Sequence, residues 1–233
     1  MPQPMIVAHR GNTRSSAPVS PPENTIAAFE TAILAQADMV ELDIRRTQDG
    51  SLIIHHDPTL AGTPLNCLSI QEIQAYNPSI PTLESVLIHC KHRIRLDFEL
   101  KEAGYESDIL NLIKQHLTIN EFVITSFQAS VLHQVQLLQP EITIGLLLEA
   151  SAQQRSRQTI EQEIRHLKPN FLGAHYTLLD SSWLEAMNYQ QTPYWVWTVN
   201  KKQEIQRFSA NSHVQAIITD DCYSIMNTYT QSL

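Results

Sequence analysis

The chain has 233 residues, of which 42% are hydrophobic and 17% charged, with no low-complexity tract; that balance suits one globular domain spanning residues 1–233 around a single core. A formal net charge of -8 speaks against broad electrostatic binding to nucleic acid or to an anionic membrane, both of which need stripes of Lys and Arg. Cys67, Cys90 and Cys222 show no paired spacing, and MPQPMIVAHRG has neither a basic lead nor an apolar run long enough for a signal or a span. The expectation is therefore a cytoplasmic protein without disulfides or stable membrane anchoring, whose oligomeric state is not legible; a phosphorylated small molecule remains a suitable partner, given a local basic side chain or a bound metal.

In chain order, Met5 to His9 reads as a short apolar strand ending in His9-Arg10-Gly11, followed by a Ser- and Pro-rich loop from Asn12 to Pro22. Glu23-Asn24-Thr25 then opens a helix with Ile26, Phe29, Ile33 and Ala37 at helical spacing and Asn24 or Thr25 as its cap. The stretch VELDIRRTQDGSLIIHHD, Val40 to Asp57, is the organising element of the chain. Alternation puts Val40, Leu42 and Ile44 on one face of a strand and Glu41, Asp43 and Arg45 on the other. Asp49-Gly50 supplies the positive backbone dihedrals of a tight hairpin turn, and a second apolar strand ends in His55-His56-Asp57.

A proline-punctuated connector runs from Pro58 to Pro81, and a helix with Leu83, Val86, Leu87 and Cys90 inward comes next. Strands are expected at Arg93 to Lys101, Phe122 to Thr125, Ile142 to Leu148, Phe171 to Ala174, Tyr194 to Val199 and Ala216 to Thr219. Helices alternate with them near Ile109 to Leu117, Val131 to Leu138, Ile160 to Leu167, Ser182 to Tyr189 and Lys201 to Phe208, with a helical tail from Tyr223. Strands alternating with helices imply a parallel sheet covered on both faces. Eight such units in a chain of this length predict an α/β fold closed into a (β/α)8 barrel; an open doubly wound sheet is the alternative, disfavoured because no Gly-rich phosphate turn occurs.

In such a barrel the carboxyl ends of the strands line the active site. The polar residues found there are His9, Arg10, Glu41, Asp43, Glu99, Lys101, Ser126, Glu149, Trp197, Asn200 and Asp220. The strand IRLDFELK repeats the pattern of VELDI, with Arg95, Asp97, Glu99 and Lys101 on one face. One amphipathic strand is more often a solvated edge, but two within a parallel sheet send carboxylates into the barrel, where an unpaired charge is expensive. Glu41, Asp43 and Glu99 together call for a hard divalent cation, Mg2+ or Ca2+. His9 and one of His55 or His56 are candidate proton carriers, and Arg10 and Lys101 candidate phosphate ligands or partners of the acids. Trp195 suits core packing, whereas Trp197, beside the strand end, suits stacking on a substrate. His89 and His92 are spaced to share a metal, but with Lys91 and Arg93 they more readily complement a helix C-terminus. Serine-hydrolase elbow, P-loop and HExxH motifs are missing.

Taken together, HRG, PENT, ELD, the DG turn with HD six residues beyond its glycine, PTLE, FELK, SF, WTVN and ITD resemble the glycerophosphodiester phosphodiesterases in their order, from His9 to Asp220. The resemblance implies a TIM barrel that hydrolyses glycerophosphodiesters to sn-glycerol 3-phosphate and an alcohol with a divalent metal. It further implies His9 and His56 as the acid/base pair and selects His56 over His55; the roles assigned here, His9 as base and His56 as acid, do not follow from the resemblance. By the same correspondence Glu41, Asp43 and Glu99 are metal ligands, Arg10 and Lys101 contact phosphate, and Trp197 walls the glycerol site.

The chain departs from the family pattern in four respects. The loop between HRG and PENT is long and carries Arg14; the insertion at about 58–80 is short; the arginine often found after HD is absent at Ala61-Gly62-Thr63; and the last motif reads ITDDC where ITDRP is common. A more open head-group side with relaxed or altered specificity is the expectation. Two other readings keep the fold: a lysophospholipase D or cyclising phospholipase acting on lipid phosphodiesters, and a phosphodiester-binding barrel without turnover. An exposed apolar rim would favour the first, and the intact histidine pair argues against the second.

Overall fold

A computed structural model describes residues 3–14, 20–180, 182–187 and 192–230. Strand β1 (Met5–His9) is followed by helix α1 (Ile26–Leu34), β2 (Met39–Arg46), β3 (Leu52–Ile54), a small hairpin of β4 (Thr59–Leu60) and β5 (Thr63–Pro64), α2 (Ile70–Tyr76) and α3 (Leu83–Cys90). The remainder alternates: β6 (Arg95–Leu100), α4 (Glu106–Ile113), β7 (Phe122–Ser126), α5 (Ala129–Leu138), β8 (Ile144–Leu148), α6 (Arg157–Leu167), β9 (Phe171–His175), α7 (Ser182–Met187), β10 (Tyr194–Trp197), α8 (Lys202–Ser209), β11 (Val214–Thr219) and α9 (Cys222–Thr230).

The eight parallel strands run in the order β1-β11-β10-β9-β8-β7-β6-β2, and pairing of β1 with β2 closes the ring. Closure settles the choice between barrel and open sheet: this is a (β/α)8 TIM barrel. The strand β3 hangs antiparallel on the far end of β2, with Ile44 opposite Ile54.

Local chemistry shifts several expected boundaries. Thr25, not Asn24, caps α1, its hydroxyl accepting from the Ala28 N–H at 3.2 Å. Beyond Leu34 the chain leaves the helix, and Gln36 takes a left-handed φ of 58°, so Ala37 lies outside it. In the hairpin only Gly50 has a positive φ, 83°; Asp49 does not. Thr47 N–H donates to the Ser51 carbonyl at 3.0 Å across a three-residue loop rather than a two-residue one. The connector from Pro58 to Pro81 contains α2, whose Ser69–Glu72 capping box is a readable signal hidden among prolines. Its residues Leu65, Ile73 and Ile80 form a satellite core with Ile53. Ser15 and Ser16 in the long first loop, and the end of the expected helix at Tyr189, fall outside the described residues.

Side chains alternate around each barrel strand. Outward positions such as Leu42, Ile44, Phe98 and Ile124 build the main core against the helices. Inward positions near the amino ends of the strands, among them Val7, Met39, Val123, Phe171 and Trp195, plug the barrel. Phe171 and Trp195 stack with ring centroids 3.8 Å apart, confirming the packing role expected of Trp195. Gly145 is required beside this stack, because a Cβ there would lie 2.2 Å from Cε2 of Phe171. Above the plug, inward positions turn polar.

Candidate active site

The polar layer is assembled by register. His9 lies opposite Glu41, and Asp43 opposite Glu99, so three strands deliver their acids and one imidazole to the same level. After β1 the chain turns sharply: Arg10 has φ 55° and Gly11 φ 86°, and a Cβ on Gly11 would meet that of Ala28 at 2.6 Å. This turn points the Arg10 N–H at Glu41 Oε2, 2.9 Å away. The hairpin brings in the second imidazole: His55 N–H donates to the Asp43 carbonyl at 3.0 Å, and Arg45 Nε donates to the His56 carbonyl at 2.8 Å. Arg45 also pairs with Glu102, just beyond β6, tying the His56 segment to the strand that carries Glu99.

A cleft of about 290 Å³ opens at the carboxyl ends of the strands and is lined by His9, Arg10, Glu41, His56, Glu99, Lys101 and Trp197. Asp43, fully buried, sits immediately behind it. All eight predicted residues therefore come together, and His55 does not line the cleft. Trp197 is anchored by donating Nε1–H to the Gly173 carbonyl at 2.9 Å, and Phe127 meets it edge-on with centroids 5.7 Å apart. Sharing of a metal by His89 and His92 is not seen: His89 pairs with Glu30 at 2.9 Å and His92 with Glu121 at 2.9 Å.

Candidate ligand atoms of Glu41, Asp43 and Glu99 all lie within 4.8 Å of one another. Burial pushes Glu41 well above the usual carboxylate range, and the neighbouring Asp43 and Glu99 push it further. Burial acts on Asp43 in the same sense, but Lys101, Arg10 and the amide of Asn24 outweigh it and hold Asp43 down at about 2. Glu99 is raised to about 7 by burial and by Asp43, against the pull of Lys101. Lys101 Nζ stands 2.8 Å from Asp43 and 2.6 Å from Glu99. His56 is lowered, first by burial and then by the nearby Lys101 and Arg10, with Asp43 opposing.

The donor set suits a hard divalent cation. Three carboxylates converge in a space too dry to ionise them all unaided, and Oε1 of Glu41 is buried without a hydrogen-bond partner. A cation there would satisfy that oxygen and favour the ionised form of all three.

Four residues support the site: Asp220 and Asp97 stand out in the sequence as a polar strand end and as part of a polar strand face, whereas nothing in the sequence ties Asn24 to an acid or Arg14 to Asp220. Asn24 of PENT donates to Asp43 Oδ2 at 2.7 Å and so orients a candidate ligand instead of capping α1. Asp97 lies in the cleft floor, raised to about 8 by burial, its Oδ1 accepting from the Thr125 hydroxyl at 2.7 Å. Asp220 reaches His9, and Arg14 of the long first loop reaches Asp220, with Nε 3.6 Å from Oδ2. That arginine returns a positive charge to the barrel mouth where ITDDC lacks one. Nothing between Pro58 and Pro81 lines the cleft, consistent with the short insertion.

Comparison with known proteins agrees with this geometry. Residues 9–223 match the model of the glycerophosphoryl diester phosphodiesterase family. The chain is 28% identical to a glycerophosphodiester phosphodiesterase of Caldanaerobacter subterraneus subsp. tengcongensis, over 96% of each protein. In structure it is similar to the glycerophosphodiester phosphodiesterase of Thermotoga maritima, with a TM-score of 0.81 at 20% identity over 98% of this chain and 99% of the other. An Oleispira antarctica phosphodiesterase, solved with the product sn-glycerol-3-phosphate, aligns with a TM-score of 0.82 at 22% identity over 98% and 97%. With a family match running from the first strand to the last helix, around a cleft that holds the motif residues, the chain belongs to the glycerophosphoryl diester phosphodiesterase family.

Proposed function

We propose that residues 1–233 act as one catalytic domain hydrolysing a small glycerophosphodiester to sn-glycerol 3-phosphate and an alcohol, with His9 and His56 as proton carriers. Glu41, Asp43 and Glu99 hold one Mg2+ or Ca2+, Arg10 and Lys101 bind the phosphate, and Trp197 walls the glycerol. The observation that carries this reading is the convergence of two imidazoles, two basic side chains and three carboxylates on one cleft.

When bound, the cation supplies Lewis-acid charge to the phosphoryl oxygens. The Arg10 guanidinium and Lys101 ammonium add fixed positive charge to the same group, the dominant way proteins assist phosphoryl transfer. His9 removes a proton from the attacking oxygen, which is water or the adjacent glycerol hydroxyl by way of a cyclic phosphate. His56 returns a proton to the departing alkoxide; its lowered pKa makes its protonated form the stronger acid. Trp197 and Phe127 present apolar faces that a glycerol carbon skeleton would cover.

A small polar diester suits the rim better than a lipid. Of the exposed large apolar side chains among the described residues, only Phe127 lines the cleft. No helix among those residues is long and apolar enough to cross a membrane. The three cysteines are free, which supports the reducing cytoplasm as the protein's setting, and the acidic net charge supports a partner other than nucleic acid.

The direct test is release of glycerol 3-phosphate from glycerophosphocholine and glycerophosphoethanolamine, with and without chelator. Release that stops on chelation and returns with Mg2+ or Ca2+ is expected. Activity surviving complete metal removal overturns the mechanism.

A further inference from the structure

Asp220 follows β11, which closes the barrel beside β1, and its carboxylate faces the ring of His9. Oδ1 lies 2.8 Å from Nδ1, and the two side chains are only 19% and 20% exposed. The second oxygen, Oδ2, accepts from Asn200 Nδ2 at 2.7 Å and has Arg14 Nε at 3.6 Å.

The same neighbours fasten the backbone. Asn200 Oδ1 accepts from the Asp220 N–H at 2.9 Å and from the Thr219 hydroxyl at 3.0 Å, which leaves the Asn200 amide one orientation. The Arg14 N–H donates to the Asp220 carbonyl at 2.8 Å. Burial pushes the Asp220 carboxyl up, but His9, Asn200 and Arg14 together hold it below its ordinary value. An ionised carboxylate only accepts hydrogen bonds, so the proton between the two side chains belongs to Nδ1 of His9.

His56 has a superficially equal partner in Asp57, with Nδ1 2.8 Å from Oδ1. Asp57, however, is 69% exposed, and water competes for its oxygens. The two histidines are therefore held with unequal firmness.

We propose that Asp220 is a positioning residue for His9: clamped by the Asn200 amide and by the backbone N–H of Arg14, it fixes the imidazole as the Nδ1–H tautomer and turns Nε2 into the cleft. This rests on His9 being a proton carrier in the proposed reaction. The arrangement follows the logic by which a buried carboxylate orients the histidine of a catalytic triad. Arg14 makes the clamp dependent on the long first loop, so that loop contributes to the site through His9.

The test combines ring spectroscopy with a mutant cycle on the Mg2+-loaded protein. In wild type, imidazole 15N spectra are expected to show His9 protonated at Nδ1 and free at Nε2; a neutral His9 protonated at Nε2 overturns the proposal. Asp220→Asn is expected to lower kcat for glycerophosphocholine about 10- to 100-fold, with KM within about threefold, since general acid-base groups contribute about 10²–10⁴-fold when oriented. In a His9→Ala background the same substitution is expected to change kcat by less than about twofold, because its effect passes through a ring no longer present. An equal loss in both backgrounds overturns the proposal, as does an Asp220→Asn enzyme with full activity. If Asp220→Asn does not fold, the wild-type spectrum decides. A fully active His9→Ala enzyme overturns the reading of His9 as proton carrier, and the unchanged wild-type spectrum then tells that failure apart from a misplaced ring.

Discussion

Nζ of Lys101 lies 2.8 Å from Oδ1 of Asp43, behind the cleft and at the level of the other acids. Together with Arg10 and the Asn24 amide, this ammonium makes the acidic cluster unequal. Asp43 is held low beside the ammonium, whereas burial and the neighbouring Asp43 and Glu99 raise Glu41 well above the usual carboxylate range.

That inequality predicts a pH dependence of stability that metal reverses. Glu99 is raised from its ordinary 4.5 to about 7, and Glu41 is raised as well. In the metal-free protein the folded state therefore binds more protons than the unfolded chain, and the stability this contributes is complete below about pH 4.5 and lost as pH rises through about 7. Asp43 works in the opposite sense only at low pH, losing its contribution as pH falls from 3.8 through about 2. Calorimetry with chelator is expected to show a thermal midpoint falling between about pH 5 and 8. Mg2+ is expected to raise it most at the alkaline end, because binding releases the protons. Equal profiles with and without metal would contradict the ligand assignment.

Glu41→Gln is expected to abolish turnover by loss of the cation. Asn24→Ala is subtler, since it removes the amide that fixes Asp43 Oδ2 at 2.7 Å. Metal affinity is expected to fall roughly 10- to 100-fold, as when hydrogen-bond partners of metal ligands are removed. Unfolding free energy should drop by about 1–3 kcal/mol, the range for a buried acceptor left unmet. Titration calorimetry reads the first effect and denaturant unfolding the second; an unchanged metal affinity would show that Asn24 serves only the loop.

His56→Ala is expected to reduce kcat by roughly 10²–10⁴-fold while leaving metal affinity intact, the magnitude typical of a removed proton carrier. Arg45→Ala should produce a smaller loss in kcat, since it frees the backbone at His56 without removing the ring. A fully active His56→Ala protein would refute its role. An Arg45→Ala loss confined to KM would place that arginine in substrate binding instead.

Gly145→Ala tests the plug beneath the site. Its new Cβ would lie 2.2 Å from Cε2 of Phe171, which is already stacked on Trp195. Overpacking of this kind costs about 1–3 kcal/mol. For a chain of this size that lowers the thermal midpoint by roughly 2–4 °C per kcal/mol. An unchanged midpoint would mean that the ring stack yields at no cost.

Alternating apolar and polar residues along VELDI and RLDFELK determined the strands and which face carried acids, because side chains on a strand point to opposite sides whatever surrounds them. The ordered motifs likewise determined the family and eight residues, seven that line one cleft and Asp43 behind it. Less was legible where one residue type serves two purposes. Asn24 looks like a cap and instead grips Asp43, 19 positions away; Arg45 looks like one more polar strand residue and instead holds the backbone of His56.

The separation of the acids into one held at about 2, one raised to about 7 and one raised beyond the usual range was decided by tertiary structure alone. The motifs ELD and FELK present similar carboxylates; burial and the placement of Lys101, Arg10 and the Asn24 amide make them different. The contact between His9 and Asp220, 211 positions apart, belongs to the same class. Periodicity and motif order travel along the chain and can be read from it. Which donor meets which acceptor depends on how the ring of strands closes, and closure brings the last strand to the first.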